Sequence, residues 1–356
     1  MVEAFINRIA TAVPSHDVHR FFHRYAASLL SGDPRRRALF LRMAERSGIE
    51  HRFSCFAPGD DPDGASLDRE GTFRRGGFPG TGTRMEMYRT AAPVLGAAAV
   101  DGLLGADEAR RVTHLIVTSC TGFSAPGLDL ALIERCGLDP SVERTVVGFM
   151  GCYAAISGLK LARHIVRAEP AASVLVVNVE ICTLHLKETA DFEKLLSFCL
   201  WGDGAAAALV TAEPNGLRID GFSALVAPEG AGMMTWDIRD DGFDMLLSGE
   251  VPAAIQHLVS TRGERLLGAS RAHELGWWAV HPGGRSVLDA VARGFGLGAD
   301  DLAASREVLR RFGNMSSATV MFVLDAMFDT VRHGGRGVAM AFGPGLVTEA
   351  MLFAGA

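Results

Sequence analysis

No two of the six cysteines are spaced as C-x-x-C, which removes the common zinc-site signature. Nor is a disulfide scaffold expected, because a chain of 356 residues buries enough surface to fold without staples. The six thiols are read as free, in a reducing compartment, and a cytoplasmic location is expected. No run reaches the roughly 18 apolar residues that a membrane span needs. The opening stretch MVEAFINRIATAVPSHDV lacks the basic segment and apolar core of a secretory signal. Positive charge is in short supply too: 35 Lys and Arg face 41 Asp and Glu, for a net charge of −6. Such a balance gives no electrostatic reason to seek nucleic acid or an anionic membrane, and anionic small molecules would need local basic groups. Short-period repeats and low-complexity tracts are missing as well.

What is present is an alternation of short apolar runs with helical patterns. HLIVTS (114–119), SVLVVNVE (173–180), AAAALVT (205–211), WWAVHP (277–282) and GVAMAFGPG (337–345) read as strands. They are continuously apolar, as expected for a sheet covered on both faces. Helical spacing covers 82–104, where Pro93 is expected to break or kink the helix, and also 154–166 and 316–331. The class is therefore α/β. A turn-rich stretch, TAEPNGLRIDG (211–221), places a boundary between residues 1–212 and 213–356. The Gly-, Pro- and charge-rich stretch 59–82 reads as a surface loop.

The stretch TVVGFMGCYAAISGLKLARHIV (145–166) sets Cys152 between an apolar run and an alanine-rich helix. Gly148 and Gly151 permit a sharp turn there. A thiol in the first turn of a helix faces its positive end, which favours the thiolate. A small buried core cysteine is the alternative on this stretch alone. An ionised cysteine needs a partner. His281, in WWAVHPGGRSVLDAV, and His185, in EICTLHLKE, both follow strand ends, where functional groups of α/β sheets gather. For His185 a bond to a loop carbonyl is the simpler reading. Asn314, in RRFGNMSSATVMFVLD, is either a turn or cap residue or an amide donor to a carbonyl oxygen. GDGAAAALV matches G-x-G-x-x-A but leads into a strand, which argues against a dinucleotide site.

GFMGCYAAISGLKLA, WAVHPGGRSVLDAV, FGNMSSATVMFVLD and AFGPGLVTEAMLF, in this order, resemble type III polyketide synthases, the group of chalcone and stilbene synthases. The likeness runs from INRIATAVP to the last residues. It implies a duplicated thiolase fold with α-β-α-β-α layers and mixed sheets, one half on each side of the 212/213 boundary. It also implies Cys152 as the acyl-carrying nucleophile, His281 as its base and ion-pair partner, and Asn314 beside them. CoA thioesters, an acyl-CoA and malonyl-CoA, would be the substrates, with no metal or redox cofactor, and the assembly a homodimer.

Arg42 and Arg46 match two of the family's CoA-contacting positions, while the third falls on Leu39. Pocket positions fall on Trp201, Met245, Cys120, His185, Ser197 and Trp236, with Ala125 at the position that reaches a partner subunit. Ser316, Gly343 and Pro344 are carried over as walls of the site. These departures from the plant pocket, together with Met233 and Met234, point to a fatty acyl starter and an alkylpyrone or alkylresorcinol product. A β-ketoacyl-carrier-protein synthase of the third kind is the first alternative. Its motifs read H-Q-A-N and G-N-T-S-A, against H-P-G-G and G-N-M-S-S here. A non-catalytic thiolase-fold acyl-binding subunit is the second. Cys55, Cys136, Cys182 and Cys199 are expected to serve packing alone.

Overall fold

A computed structural model describes residues 2–331 and 333–356. Nine strands form one mixed sheet. Its order is Glu143–Gly148, His114–Ser119, Val174–Ile181, Asp203–Thr211, Phe5–Ala12, Leu217–Val226, Val347–Gly355, Arg336–Gly343 and Trp277–Val280. The first three run parallel, as do the last two, and the remaining pairings are antiparallel. The two halves meet where Phe5 and Ile6 pair with Arg218 and Leu217.

Alternation along the strands explains the layering. Ile116, Val174 and Val176 point to one side, and Leu115, Val117, Leu175 and Val177 to the other. The first side packs on the helices Ala154–Ala168 and Thr319–Val331, which also cover Ala339, Ala341 and Met351 of the second half. The other side packs on Thr81–Leu103 and Leu128–Cys136. Val251–Arg262 and Arg285–Phe295 cover Trp278, Val338 and Met340 on the far face of the second half. The two halves of the sheet thus flank the central helix pair, and each carries further helices on its outer face.

The expected helix around 82–104 is one piece, Thr81–Leu103, and Pro93 does not end it. Proline leaves the carbonyl four residues back without its helical partner. That residue is Arg89, which is exposed to water, while Ala92, Leu95 and Ala99 hold the helix on the sheet. Part of the turn-rich 211–221 stretch is strand: Leu217–Val226 begins directly after the tight turn at Gly216, whose φ is 96°. The strands Phe5–Ala12, Leu217–Val226 and Val347–Gly355 carry polar residues that mask their pattern in the sequence. Among the described residues, no helix is long and apolar enough to cross a membrane.

Candidate active site

Chemistry-bearing residues follow strand ends in both halves of the sheet, and the fold brings them together around shared cavities. Cys120 follows the strand ending at Ser119, Cys182 the one ending at Ile181, His281 the one ending at Val280 and Pro344 the one ending at Gly343. Such strand ends are where open α/β sheets place ligands. Cys152 sits in a single 3-10 turn, Gly151–Tyr153, that opens the helix Ala154–Ala168. Gly151 is required there: its φ is 75°, and a Cβ would lie 2.4 Å from Cδ of Pro344. A Cβ on Gly343 would approach the Tyr153 ring to 2.6 Å and the Cys152 nitrogen to 3.4 Å. The loop 343–345 thus packs directly on the turn that holds Cys152.

Asn314 is 2% exposed and fixed from both sides. Its Oδ1 accepts from the Ser316 N–H at 2.9 Å, which settles which end of the amide is which, and its Nδ2 donates to the Gly283 carbonyl at 3.3 Å. An amide nitrogen has two protons, so one N–H remains for a ligand. His281 is buried, and neither ring nitrogen has a hydrogen-bond partner. Cys152, His281 and Asn314 all line one cavity of 820 Å³, together with Trp201, Met234 and Met245. That volume is typical of a site for a drug-sized ligand.

Burial works against the charged pair that the sequence reading expected. A helix start was expected to stabilise the Cys152 thiolate, but burial pushes this thiol up to about 12, with the Glu180 carboxylate adding to the rise. A hydrogen bond from Ser316 works the other way and does not win. Burial also holds His281 down to about 3. No hydrogen bond joins the two side chains, and burial favours the uncharged form of each. The physical reason is desolvation: creating two charges here without further donors costs more than their mutual attraction returns.

A narrow chamber of 20 Å³ adjoins Cys152 and is lined by Cys120, Cys182, His185, Trp236 and Ser316 among others. Ser316, held at a φ of 46°, places its hydroxyl 3.1 Å from the Cys120 sulfur. Cys120 in turn meets Glu180, which also accepts from Thr121 at 2.9 Å and from Ser317. Glu180 is fully buried, and burial raises its carboxyl above the usual range. Sequence reading passed over it, although a lone carboxylate closing the apolar run SVLVVNVE was a usable signal. His185 donates Nε2–H to the Thr121 carbonyl at 2.7 Å and accepts from the Phe243 N–H at 3.0 Å, and it also lines the chamber. The Trp236 indole donates to the Cys120 carbonyl at 2.8 Å.

Several expected residues are placed differently. Ala125 is exposed and lines neither the cavity nor the chamber. Arg46 lines the cavity, but Arg42, one turn earlier, is exposed and does not. Ser197 and Met234 line it, whereas Met233 does not. Cys182 and Cys199 are more than packing, since the first lines the chamber and the second the cavity. Arg285 at the mouth and the buried Arg52 were missed. Arg52 donates to the carbonyls of Phe198 at 2.9 Å and Trp201 at 2.6 Å, and so carries the loop that holds Trp201.

A layered, duplicated α/β fold with cysteine, histidine and asparagine around one cavity defines a condensing enzyme of the thiolase fold. Residues 2–214 match the N-terminal domain of chalcone and stilbene synthases, and residues 222–356 match their C-terminal domain. The chain belongs to this family and is a type III polyketide synthase. It is 33% identical to "Alpha-pyrone synthesis polyketide synthase-like Pks18" of Mycobacterium tuberculosis, over 98% of this chain and 91% of the relative. It is 34% identical to bisdemethoxycurcumin synthase of Oryza sativa, over 88% of this chain and 82% of that one. Among solved structures, PKS-I of the brown alga Ectocarpus siliculosus superposes with a TM-score of 0.87 at 27% identity, covering 100% and 99% of the two chains. The 1,3,6,8-tetrahydroxynaphthalene synthase of Streptomyces coelicolor gives 0.84 at 27% identity, covering 98% and 99%.

Proposed function

We propose that the enzyme loads a fatty acyl group from acyl-CoA onto Cys152, extends it with malonyl-CoA and closes the product to an alkylpyrone or alkylresorcinol. The observation that carries this reading is the apolar wall of the 820 Å³ cavity, built from Leu196, Trp201, Met234, Met245, Ile255 and Phe342 beside the thiol. The relative's name, with its alpha-pyrone synthesis, agrees with it.

In the loading step the Cys152 proton passes to His281 as the sulfur attacks the thioester carbonyl. The C–S bond to CoA breaks, and the departing CoA sulfur takes the proton. Malonyl-CoA then binds and loses carbon dioxide. The enolate oxygen that develops is met by the free Asn314 N–H and the His281 N–H, an oxyanion hole in function. The enolate carbon attacks the acyl thioester, a C–C bond forms, and Cys152 leaves as thiolate and recovers a proton. No step needs a metal or redox group. Arg46 at the mouth, with Arg285 donating to its carbonyl at 3.4 Å and Arg42 one turn away, supplies charge for the CoA phosphates.

We place the enzyme in the cytoplasm, supported by six free cysteines. A homodimer fits the open strand Glu143–Gly148, where Val146 is 49% exposed, with Phe123 40% exposed beside it. The deciding experiment is mass spectrometry of products from malonyl-CoA with an acyl-CoA panel of increasing chain length, against a Cys152→Ala control. Long-chain pyrones or resorcinols are expected from the native enzyme alone. Turnover of only malonyl-CoA or aromatic starters would remove the fatty starter, and a single extension without ring closure would favour a simple ketoacyl synthase.

A further inference from the structure

Net charge hides a strongly basic element. The helices His19–Leu29 and Pro34–Glu45, with the residues up to Arg46, hold seven arginines against Asp33 and Glu45, in a chain of net charge −6. On the second helix, Arg35, Arg36, Arg37, Arg42 and Arg46 are all exposed. None of the five guanidinium groups forms an ion pair among the described residues, and only that of Arg36 meets another side chain, the Phe192 ring at 5.8 Å. Only Phe40 and Ala44 of this helix are buried.

Helical spacing sorts the exposed residues. Arg35, Leu39, Arg42 and Arg46 follow one another at intervals of three or four, and Arg36 and Met43 flank them on the same face. Leu39 is 41% exposed and Met43 42%, so apolar side chains stand in water among the guanidinium groups. The stripe runs along the helix, about 18 Å, and ends at the cavity mouth, which Met43 and Arg46 line. Asp191 and Glu193 border it at Arg36 and Leu39 without neutralising it. CoA accounts for Arg42 and Arg46 and leaves Arg35, Arg36 and Arg37 without a use.

We propose that this helix docks the enzyme on an anionic phospholipid bilayer, with the cavity mouth turned to the surface. Unpaired arginines attract anionic headgroups, and exposed leucine and methionine enter the headgroup boundary. A nucleic acid offers no apolar phase to Leu39 and Met43. A folded partner needs about 800 Å² of complementary surface on each side, more than one convex helix presents, whereas a bilayer deforms to fit it. Docking stands on this helix alone, whatever the starter. Its use is plain if the substrate tail is long, since such tails partition into lipid.

The test is flotation of the intact protein with vesicles of 70:30 phosphatidylcholine and phosphatidylglycerol, and with pure phosphatidylcholine, at 0.05 and 0.15 M NaCl. Binding is expected to the anionic vesicles only and to weaken with salt. Each arginine raises partition roughly fivefold, so R35Q/R36Q/R37Q loses on the order of a hundredfold while its melting temperature and its turnover of a short soluble acyl-CoA hold. Leu39→Ser, which leaves the charge alone, is expected to lose several-fold and so separates insertion from simple attraction. Absent binding at 0.05 M, equal binding to neutral vesicles, or undiminished binding by the triple variant would each overturn the proposal. Retention by soluble polyglutamate with vesicles left free would assign the helix to an acidic protein instead, and overturn it equally.

Discussion

Trp201 and Asn314 are locked to each other through their backbones. The Asn314 N–H donates to the Leu200 carbonyl at 2.7 Å, and the Gly202 N–H donates to the Asn314 carbonyl at 3.0 Å, so the two residues pair as a parallel bridge. The amide proposed to face the enolate and the bulkiest cavity wall therefore share one support. Gly313 makes the contact possible: its φ is 69°, and a Cβ there would lie 2.6 Å from the Leu200 carbonyl oxygen.

Because one Asn314 N–H is free and neither side-chain bond reaches Cys152, its loss should fall on one chemical step. Asn314→Ala is expected to slow malonyl-CoA decarboxylation by about 10²–10³-fold, the usual cost of one oxyanion donor. Acylation of Cys152 should fall by less than about tenfold, the donor being aimed at the enolate and not at the loading carbonyl. Release of labelled carbon dioxide and intact-mass detection of the acyl-enzyme read the two steps separately. Equal loss at both would contradict the assignment.

Arg52 supports the same loop from beneath. It is 2% exposed, its Nε donates to His19 Nδ1 at 3.0 Å, and its Nη1 holds the Phe198 and Trp201 carbonyls. Arg52→Met keeps the bulk and strands these acceptors in a buried site. A cost of roughly 2–4 kcal/mol in denaturant unfolding is expected, with decarboxylation falling through a displaced Asn314. Arg52→Lys, which restores one donor, should recover part of the rate, whereas a purely structural role would restore stability without moving the loading-to-decarboxylation ratio.

The state of Cys152 has its own readout. With the thiol raised to about 12 and His281 lowered to about 3, the free enzyme holds almost no thiolate at neutral pH. Iodoacetamide labelling of Cys152 should be slow at pH 7 and rise about tenfold per pH unit to pH 10, following the thiolate fraction. A plateau beginning below pH 7 would restore a preformed thiolate–imidazolium pair. Labelling followed by peptide mapping distinguishes Cys152 from Cys120, which shares the Ser316 hydroxyl.

The legible part of this protein lay in local runs. HLIVTS is the strand His114–Ser119 residue for residue, and the glycine before Cys152 does make the turn. The strand Leu217–Val226 was hidden because Arg218, Asp220 and Gly221 break its apolar pattern, yet its partners on both sides supply the burial. The site is brought together from distant segments, and sequence spacing carries no information on their distances. That is why Arg52 and Glu180 went unread while His281, beside its Pro-Gly-Gly, did not. The charge on Cys152 is a question of another kind: a helix end is a local feature favouring the thiolate, whereas desolvation, which opposes it, is set by the whole fold.

Buried neutral histidines also set how the fold meets acid. His185 and His281 are held down to about 3 by burial, against about 6.5 in an unfolded chain. Between those values the unfolded state binds the extra proton, so stability is full above pH 6.5 and is lost as pH falls toward 3. From pH 7 to 5 each histidine should cost about 2 kcal/mol. Asp203 works in the opposite sense: burial raises it to about 6, and the native state takes up its proton below that. A difference measurement removes this and every other shared group. His185→Gln keeps a donor for the Thr121 carbonyl and an acceptor for the Phe243 N–H. Its urea-unfolding free energy should therefore fall by about 2 kcal/mol less than that of the native protein over the same interval. Parallel losses would mean that His185 is charged in the folded protein, which the Phe243 N–H donating to its Nδ1 at 3.0 Å opposes.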